Sequence, residues 1–174
     1  MSKNFAKKLN YNVLGIMTGT SMDGIDFSFI KSNGKNYVKI LNEKSYNYSL
    51  INQKKIKNIV ETKPQDRKKI KEHFQKCENE ITNIYISYIK RFIKEFKMNI
   101  NQIDIISLSG QTVYHNPRDG VSIQLGSAKI ISNKFKIKTV SDLRKNDIKY
   151  GGQGAPIGSY YHKYILNKFT NRAI

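Results

Sequence analysis

The chain has 174 residues, 39% of them hydrophobic and 11% aromatic, enough to bury one core or two very small ones. Those fractions exclude a disordered chain, and no apolar run approaches the roughly 18 residues that a membrane-spanning helix needs. The conspicuous number is the charge: 31 basic residues against 13 acidic ones, a net of +18.

The first nine residues are basic and lack the apolar segment of a signal peptide. Residues 13–17 form a short apolar run that ends in the turn cluster Thr18-Gly-Thr-Ser-Met-Asp-Gly24. Residues 25–30 alternate apolar and polar side chains, as a half-buried strand does. Asn33-Gly34 is a hairpin dipeptide in which both residues tolerate positive φ, and residues 38–46 supply a further strand. A three-strand antiparallel meander is therefore predicted. Residues 51–61 read as a helix, closed off by Pro64. Ile70, Phe74, Cys77, Ile81, Ile84, Tyr88, Phe92 and Phe96 then recur every three or four residues. That spacing predicts one long amphipathic helix packing one face on a sheet, with Cys77 in the core. Residues 103–108 are apolar, β-branched and short, the pattern of a buried strand. They run into Ser109-Gly-Gln-Thr-Val-Tyr-His-Asn-Pro117. A strand over 122–125, a helix over 127–135 and a strand over 138–140 follow. The loop Gly151-Gly-Gln-Gly-Ala-Pro156 leads into a last helix over 157–167. A meander, a long helix and then alternating strands and helices predict an α/β fold, a mixed sheet with flanking helices. Their order resembles the ribonuclease-H-like half-domain of actin-like ATPases and sugar kinases.

The charge is a poorer guide than its size suggests. Of the 31 basic residues 26 are Lys, and Lys, Ile and Asn together make 69 of the 174. These are residues of A/T-rich codons, and the Lys are spread along the chain rather than gathered into the patch that nucleic acid needs. A single cysteine, Cys77, excludes an internal disulfide and fits a reducing cytoplasm.

Four segments carry possible chemistry. In Gly19-Thr-Ser-Met-Asp-Gly24 the glycines permit close backbone approach, and exposed N–H groups with the Thr20 and Ser21 hydroxyls can cradle phosphate oxygens. Asp23 and Asp26 can hold Mg²⁺, directly or through water, because that hard cation takes carboxylate and water oxygens. The same residues also suit a tight β-turn. The segment lacks a Gly-Lys-Ser/Thr ending and leads into a strand, so it is neither a Walker A loop nor a Rossmann fingerprint. Ser109-Gly-Gln-Thr112 follows a buried strand, where polar side chains commonly face a ligand crevice. Gln111 can donate and accept and Thr112 adds a hydroxyl, which suits sugar hydroxyls or a plain polar turn. Arg144 can hold a carboxylate or phosphate with fixed geometry, or form a surface pair with Asp142. The glycine loop over 151–156 is a hinge or a ligand-facing backbone. His115 reads as turn structure, and three scattered His give no metal cluster.

Taken in order, Gly15-Ile-Met-Thr-Gly-Thr-Ser-Met-Asp-Gly-Ile-Asp26, the Ser109 to Pro117 segment, Gln124-Leu-Gly126, and Asp142-Leu-Arg-Lys-Asn-Asp147 with the glycine loop resemble the anhydro-N-acetylmuramic acid kinase family. The resemblance implies a cytoplasmic, ATP-dependent enzyme of peptidoglycan recycling. Such an enzyme opens the 1,6-anhydro ring of anhydro-N-acetylmuramic acid with water and passes the γ-phosphate to O6, by positioning and charge neutralisation. It further implies that Gly19, Thr20, Ser21, Met22, Asp23, Gly24, Ile25 and Asp26 form the ATP phosphate loop, with Mg²⁺ on Asp23 and Asp26. Gln111, Thr112 and Arg144 would face the sugar, Arg144 being suited to its lactyl carboxylate.

Two departures stand out. Ser109 occupies a position where the family usually has His, which removes one imidazole from the sugar pocket. Family members have two domains, with a catalytic aspartate in an Asp-Thr-Gly-Pro motif that these 174 residues do not contain. Residues 1–174 are accordingly expected to form a single N-terminal ATPase-like domain without the second, and no catalytic base is assigned. The expected partners are ATP, the anhydro-sugar, and a complementary C-terminal half or a second copy in a homodimer. The rival reading is a basic nucleic-acid-binding module on a ribonuclease-H-like scaffold. It calls for steeply salt-dependent binding and for clustered carboxylates, which the sequence does not supply convincingly.

Overall fold

The computed structural model describes residues 9–155 and 158–170. The basic start of the chain and the Pro156-Ile157 entry to the last predicted helix lie outside these. β1 (Tyr11–Met17), β2 (Gly24–Ser32) and β3 (Val38–Asn47) form the expected antiparallel meander. Alternate side chains Leu14, Ile16, Ile25, Phe27 and Phe29 point to one buried face. The β2–β3 connection departs from the dipeptide reading. Gly34 takes φ +71°, but Asn33 has no positive φ. Its side-chain Oδ1 instead accepts from the amides of Lys35, Asn36 and Tyr37 at 2.9, 3.1 and 3.0 Å. The side chain thus nucleates a loop over 33–37, longer than a two-residue turn.

α1 (Leu50–Glu61) starts at Ser49, whose Oγ accepts from the Asn52 amide at 3.3 Å. α2 (Arg67–Glu95) is the long amphipathic helix, 29 residues in one run. It lays Phe74, Ile81, Tyr85, Tyr88, Ile89 and Phe92 on the sheet, all buried. Phe92 stacks on Phe27 at 5.1 Å between ring centroids, and Tyr88 tilts against Tyr46 at 5.8 Å. Each such side chain contributes about 1.5–3 kcal/mol by burial, so this face, rather than helix propensity, holds α2 in place. Cys77 is half-buried against the core, and burial pushes its thiol up, as suits a packing residue.

β4 (Ile105–Leu108) lies parallel beside β1, with Val13 opposite Ile105 and Ile16 opposite Leu108. Ile103 is buried but precedes the strand, and Asp104 Oδ2 accepts from the Asn12 amide at 2.8 Å. The next segment is not a polar turn. β5 (Gln111–Asn116) pairs antiparallel with β6 (Val121–Leu125) as a separate two-stranded ribbon. His115 therefore sits on a strand, its Nδ1 2.9 Å from Ser122 Oγ. α3 (Ala128–Phe135) is capped by Ser127 and leads to β7 (Lys138–Val140), parallel to β4. α4 (Lys145–Lys149) has five residues, too few to show helical periodicity in sequence, and α5 (Ser159–Thr170) ends the described chain.

The sheet order is β3-β2-β1-β4-β7, a mixed five-stranded sheet with flanking helices, as predicted. β1, β4 and β7 run parallel, so their carboxyl ends open at one edge. The segments that follow them, 18–23, 109–110 and 141–144, overlap three of the four singled out in the sequence, Gly19–Gly24, Ser109–Thr112 and Arg144. No helix among the described residues is long and apolar enough to cross a membrane.

Candidate functional site

The loop between β1 and β2 is built as a tight turn with an exposed rim. The Met22 amide donates to the Gly19 carbonyl at 3.3 Å, and Met22 itself takes φ +57°. Gly19, Thr20, Ser21 and Asp23 are exposed, whereas Ile25 is buried in the core. Gly24 is required for packing: a Cβ there would stand 2.6 Å from the Tyr46 carbonyl oxygen on β3. Ser21 Oγ donates to Asp23 Oδ1 at 2.6 Å. That bond first, and the Asp23 and Gly24 amides with it, holds the Asp23 carboxyl below its ordinary value. Asp26 is exposed on β2 and lines a groove of about 730 Å³ with Gly15, Met17, Ser28, Ser45 and Ser107. The Tyr48 phenol is pushed up, by burial first, then by Tyr85 and Tyr88 and the charges of Asp26 and Asp23.

Among the described residues no three His, Cys, Asp or Glu side chains gather as a metal site. A cation held here would take two carboxylates from the protein and complete its shell with phosphate oxygens and water, the habit of Mg²⁺.

The segment after β4 is bolted to this loop from behind. Thr18 is 3% exposed. Its amide donates to Ser109 Oγ at 3.3 Å, and its hydroxyl donates to the Gly110 carbonyl at 3.1 Å and shares a hydrogen bond with Tyr85 Oη at 2.8 Å. Gln111 is fully buried and donates from Nε2 to the Gly19 carbonyl at 2.9 Å. Thr112 is buried beside it at 8% exposure. Gly110 allows the close approach, with φ +74° and no room for a Cβ against Gln124. A smaller cleft of about 220 Å³ opens next to Ser109, between Gln124, Ser127, Lys129 and Asp142.

Arg144 sits at the start of α4, after β7. Its Nη1 donates to the Gly154 carbonyl at 2.5 Å, while Asp147 Oδ2 accepts from the Gly154 amide at 2.6 Å. The two side chains hold both polar groups of one glycine and so clip the glycine loop onto α4. The Asp142–Arg144 surface pair does not form: Asp142 pairs with Lys145 at 3.4 Å. The Arg144 Nε is buried and meets no acceptor among the described residues.

The profile of the anhydro-N-acetylmuramic acid kinase family matches residues 11–174. The chain belongs to that family. Curated anhydro-N-acetylmuramic acid kinases show the same likeness. The Rhizobium etli protein is 32% identical over 158 residues, which is 90% of this chain and 43% of that protein. The Pelagibacter ubique protein is 32% identical over 164 residues, 91% of this chain and 42% of its own length. The Brucella suis protein is 32% identical over 151 residues, 86% and 40%. The chain thus spans about two fifths of the length of the curated relatives it matches.

In this anhydro-N-acetylmuramic acid kinase family chain, Ser109 is 7% exposed and serves the loop, accepting from Thr18. Thr18, Tyr85, Asp147 and Gly154 hold the site together and were not among the predicted site residues. Tyr85 lies on the helical stripe with Ile81 and Ile89, a spacing that announces burial and says nothing of the hydroxyl's partner.

Proposed function

We propose that this chain forms the nucleotide-phosphate half of an ATP-dependent anhydro-N-acetylmuramic acid kinase. The reaction opens the 1,6-anhydro bond with water and places the ATP γ-phosphate on O6, giving N-acetylmuramic acid 6-phosphate for cell-wall recycling. One observation carries the reading. The loop from Gly19 to Asp26 and the strand start at Gln111 and Thr112 meet at the carboxyl edge of the sheet, joined by the Gln111–Gly19 and Thr18–Gly110 hydrogen bonds. Ligands of open α/β sheets bind at that edge.

The residues fit a magnesium nucleotide. Thr20 supplies its hydroxyl, and Thr20 and Ser21 their backbone N–H groups, for phosphate oxygens. Asp23, whose carboxyl Ser21 holds below its ordinary value, and Asp26 supply carboxylates for Mg²⁺. When bound, that ion neutralises charge on the transferring phosphoryl group. Thr112 and Arg144 take the sugar, Arg144 pairing with the lactyl carboxylate. Gln111 acts from behind the phosphate loop, through the Gly19 carbonyl it holds. The lone thiol suits a reducing cytoplasm.

In this proposal the catalytic base and the adenine site belong to the complementary half, the part of the relatives' length that this chain does not match. Calorimetry with Mg·ATP and with anhydro-N-acetylmuramic acid tests it directly. Binding of both, with no sugar phosphate formed until the complementary half is added, supports the reading. Absence of binding by either ligand, or steady turnover by these 174 residues alone, overturns it.

A further inference from the structure

Gln111 opens β5 and is fully buried, yet only part of its amide is satisfied. Nε2 donates to the Gly19 carbonyl at 2.9 Å and, at 3.5 Å, to the Thr112 carbonyl. Oε1 meets no donor among the described residues. A buried carbonyl without a donor costs stability, and an apolar side chain of the same shape would avoid that cost. What distinguishes Gln from such a side chain here is the N–H aimed at Gly19.

The Gly19 carbonyl also accepts from the Met22 amide that closes the turn, at 3.3 Å. It is therefore held twice, once from within the loop and once from β5. The peptide unit is planar and trans, so its N–H points opposite to its C=O. With the Gly19 oxygen drawn inward to Gln111, the Thr20 N–H of the same peptide points outward, and Thr20 is exposed. A glycine at the hinge of that peptide leaves the backbone free to adopt other conformations. Rotated over, the peptide would present a carbonyl oxygen to an incoming phosphate, which repels it.

We propose that Gln111 is a positioning residue that fixes the Gly19–Thr20 peptide with its N–H facing the anion site, so that the loop is formed before nucleotide arrives. This rests on the nucleotide-binding reading above for the identity of the anion, but the peptide's fixation is a property of the free protein. The two are tested separately. Gln111→Met keeps the shape and removes the donor; Gln111→Asn keeps the amide and shortens its reach. Gln111→Met is expected to unfold in urea at or above the wild-type midpoint, whereas Gln111→Asn, which leaves both polar groups of a buried amide unpaired, is expected to unfold below it. Amide exchange at Met22, followed by NMR in the full chain without ligand, is expected to quicken about tenfold or more. Mg·ATP affinity is expected to fall about tenfold, the equivalent of one lost hydrogen bond, with anhydro-sugar affinity within about twofold of wild type. Unchanged Met22 exchange in both variants overturns the inference, whatever the ligands do. So does a loss confined to sugar affinity, which would make Gln111 a sugar ligand. If wild type binds no Mg·ATP, the functional reading fails, and Met22 exchange still decides whether Gln111 holds the loop.

Discussion

Thr18 and Tyr85 share a buried hydrogen bond of 2.8 Å, which ties the loop at the end of β1 to the long helix across the sheet. The two ends are not equivalent. Thr18 Oγ1 also has the Gly110 carbonyl, at 3.1 Å, whereas among the described residues Thr18 is the one partner of the Tyr85 hydroxyl. Burial pushes the Tyr85 phenol up, so it stays neutral throughout the physiological range.

That asymmetry orders two substitutions. Thr18→Val leaves the Tyr85 hydroxyl buried and unpaired and should cost about 1–3 kcal/mol, whereas Tyr85→Phe leaves Thr18 its second partner and should cost about 0.5–1.5 kcal/mol. Urea unfolding of the two variants measures the difference. A larger loss for Tyr85→Phe would contradict the stated geometry.

Gly24 and Gly19 are both loop glycines with different duties. A Cβ at Gly24 would meet the Tyr46 carbonyl oxygen at 2.6 Å, backbone that cannot swing aside, whereas at Gly19 the nearest atom is the Ser21 hydroxyl at 3.1 Å. Gly24→Ala is expected to destabilise by about 1–3 kcal/mol, the usual range for overpacking. Gly19→Ala should shift the midpoint much less. Equal effects in thermal or urea unfolding would refute the distinction.

The Ser21–Asp23 bond makes a prediction about charge. It is the leading cause of the lowered Asp23 carboxyl. Ser21→Ala should therefore move that carboxyl back toward its ordinary value, read from the pH titration of its ¹³C resonance. An unmoved midpoint would show that the backbone amides alone hold it down. If Asp23 binds Mg²⁺, the same variant should also weaken Mg²⁺ binding more near pH 4 than at pH 8, since protons compete only close to the ordinary carboxyl value.

Tyr46 and Glu95 set a pH dependence with two limbs. Tyr46 Oη donates to Glu95 Oε2 at 2.8 Å; burial first, and this bond second, raise the phenol from 10.0 to about 12. The folded state then holds that proton more tightly than the unfolded chain. Its contribution is complete below pH 10.0 and is lost as pH rises toward about 12. Glu95 is shifted the other way, chiefly by Tyr46, with Lys44 and Arg91 assisting. Its contribution is complete above the ordinary Glu value and is lost as pH falls through the lowered one. Tyr46→Phe should flatten both limbs of the urea midpoint plotted against pH. A flattened alkaline limb with an unchanged acid limb would mean that Lys44, at 3.2 Å from Glu95, outweighs the phenol.

The charge of +18 separates the kinase reading from its rival. A chain whose Lys are spread over its surface should bind duplex DNA weakly, with a shallow fall in affinity as salt rises. A log–log salt slope as steep as about −6, the sign of several neutralised phosphates, would revive the nucleic-acid reading.

Length, periodicity and motif order were enough to determine the layer architecture and the family. Phe74 to Phe92 at helical spacing and Ile25 to Phe29 at strand spacing each declare which face is buried, and burial is local information. The motifs likewise carry their own chemistry, since Thr, Ser and Asp between glycines can serve an anion or a cation wherever the chain puts them. What the tertiary structure alone decided is which partners those groups already have. Gln111 reads as a sugar-facing amide until β5 pairs with β6 and seals it behind Gly19, 92 residues away in sequence. Arg144 reads as a free guanidinium until α4 forms and turns it onto the Gly154 carbonyl. Hydrogen bonds between distant segments depend on strand order and on the close approach that Gly110 permits, and neither leaves a periodic trace. The charge of +18 is a property of composition; the candidate site is a property of three parallel strand ends that meet at one edge.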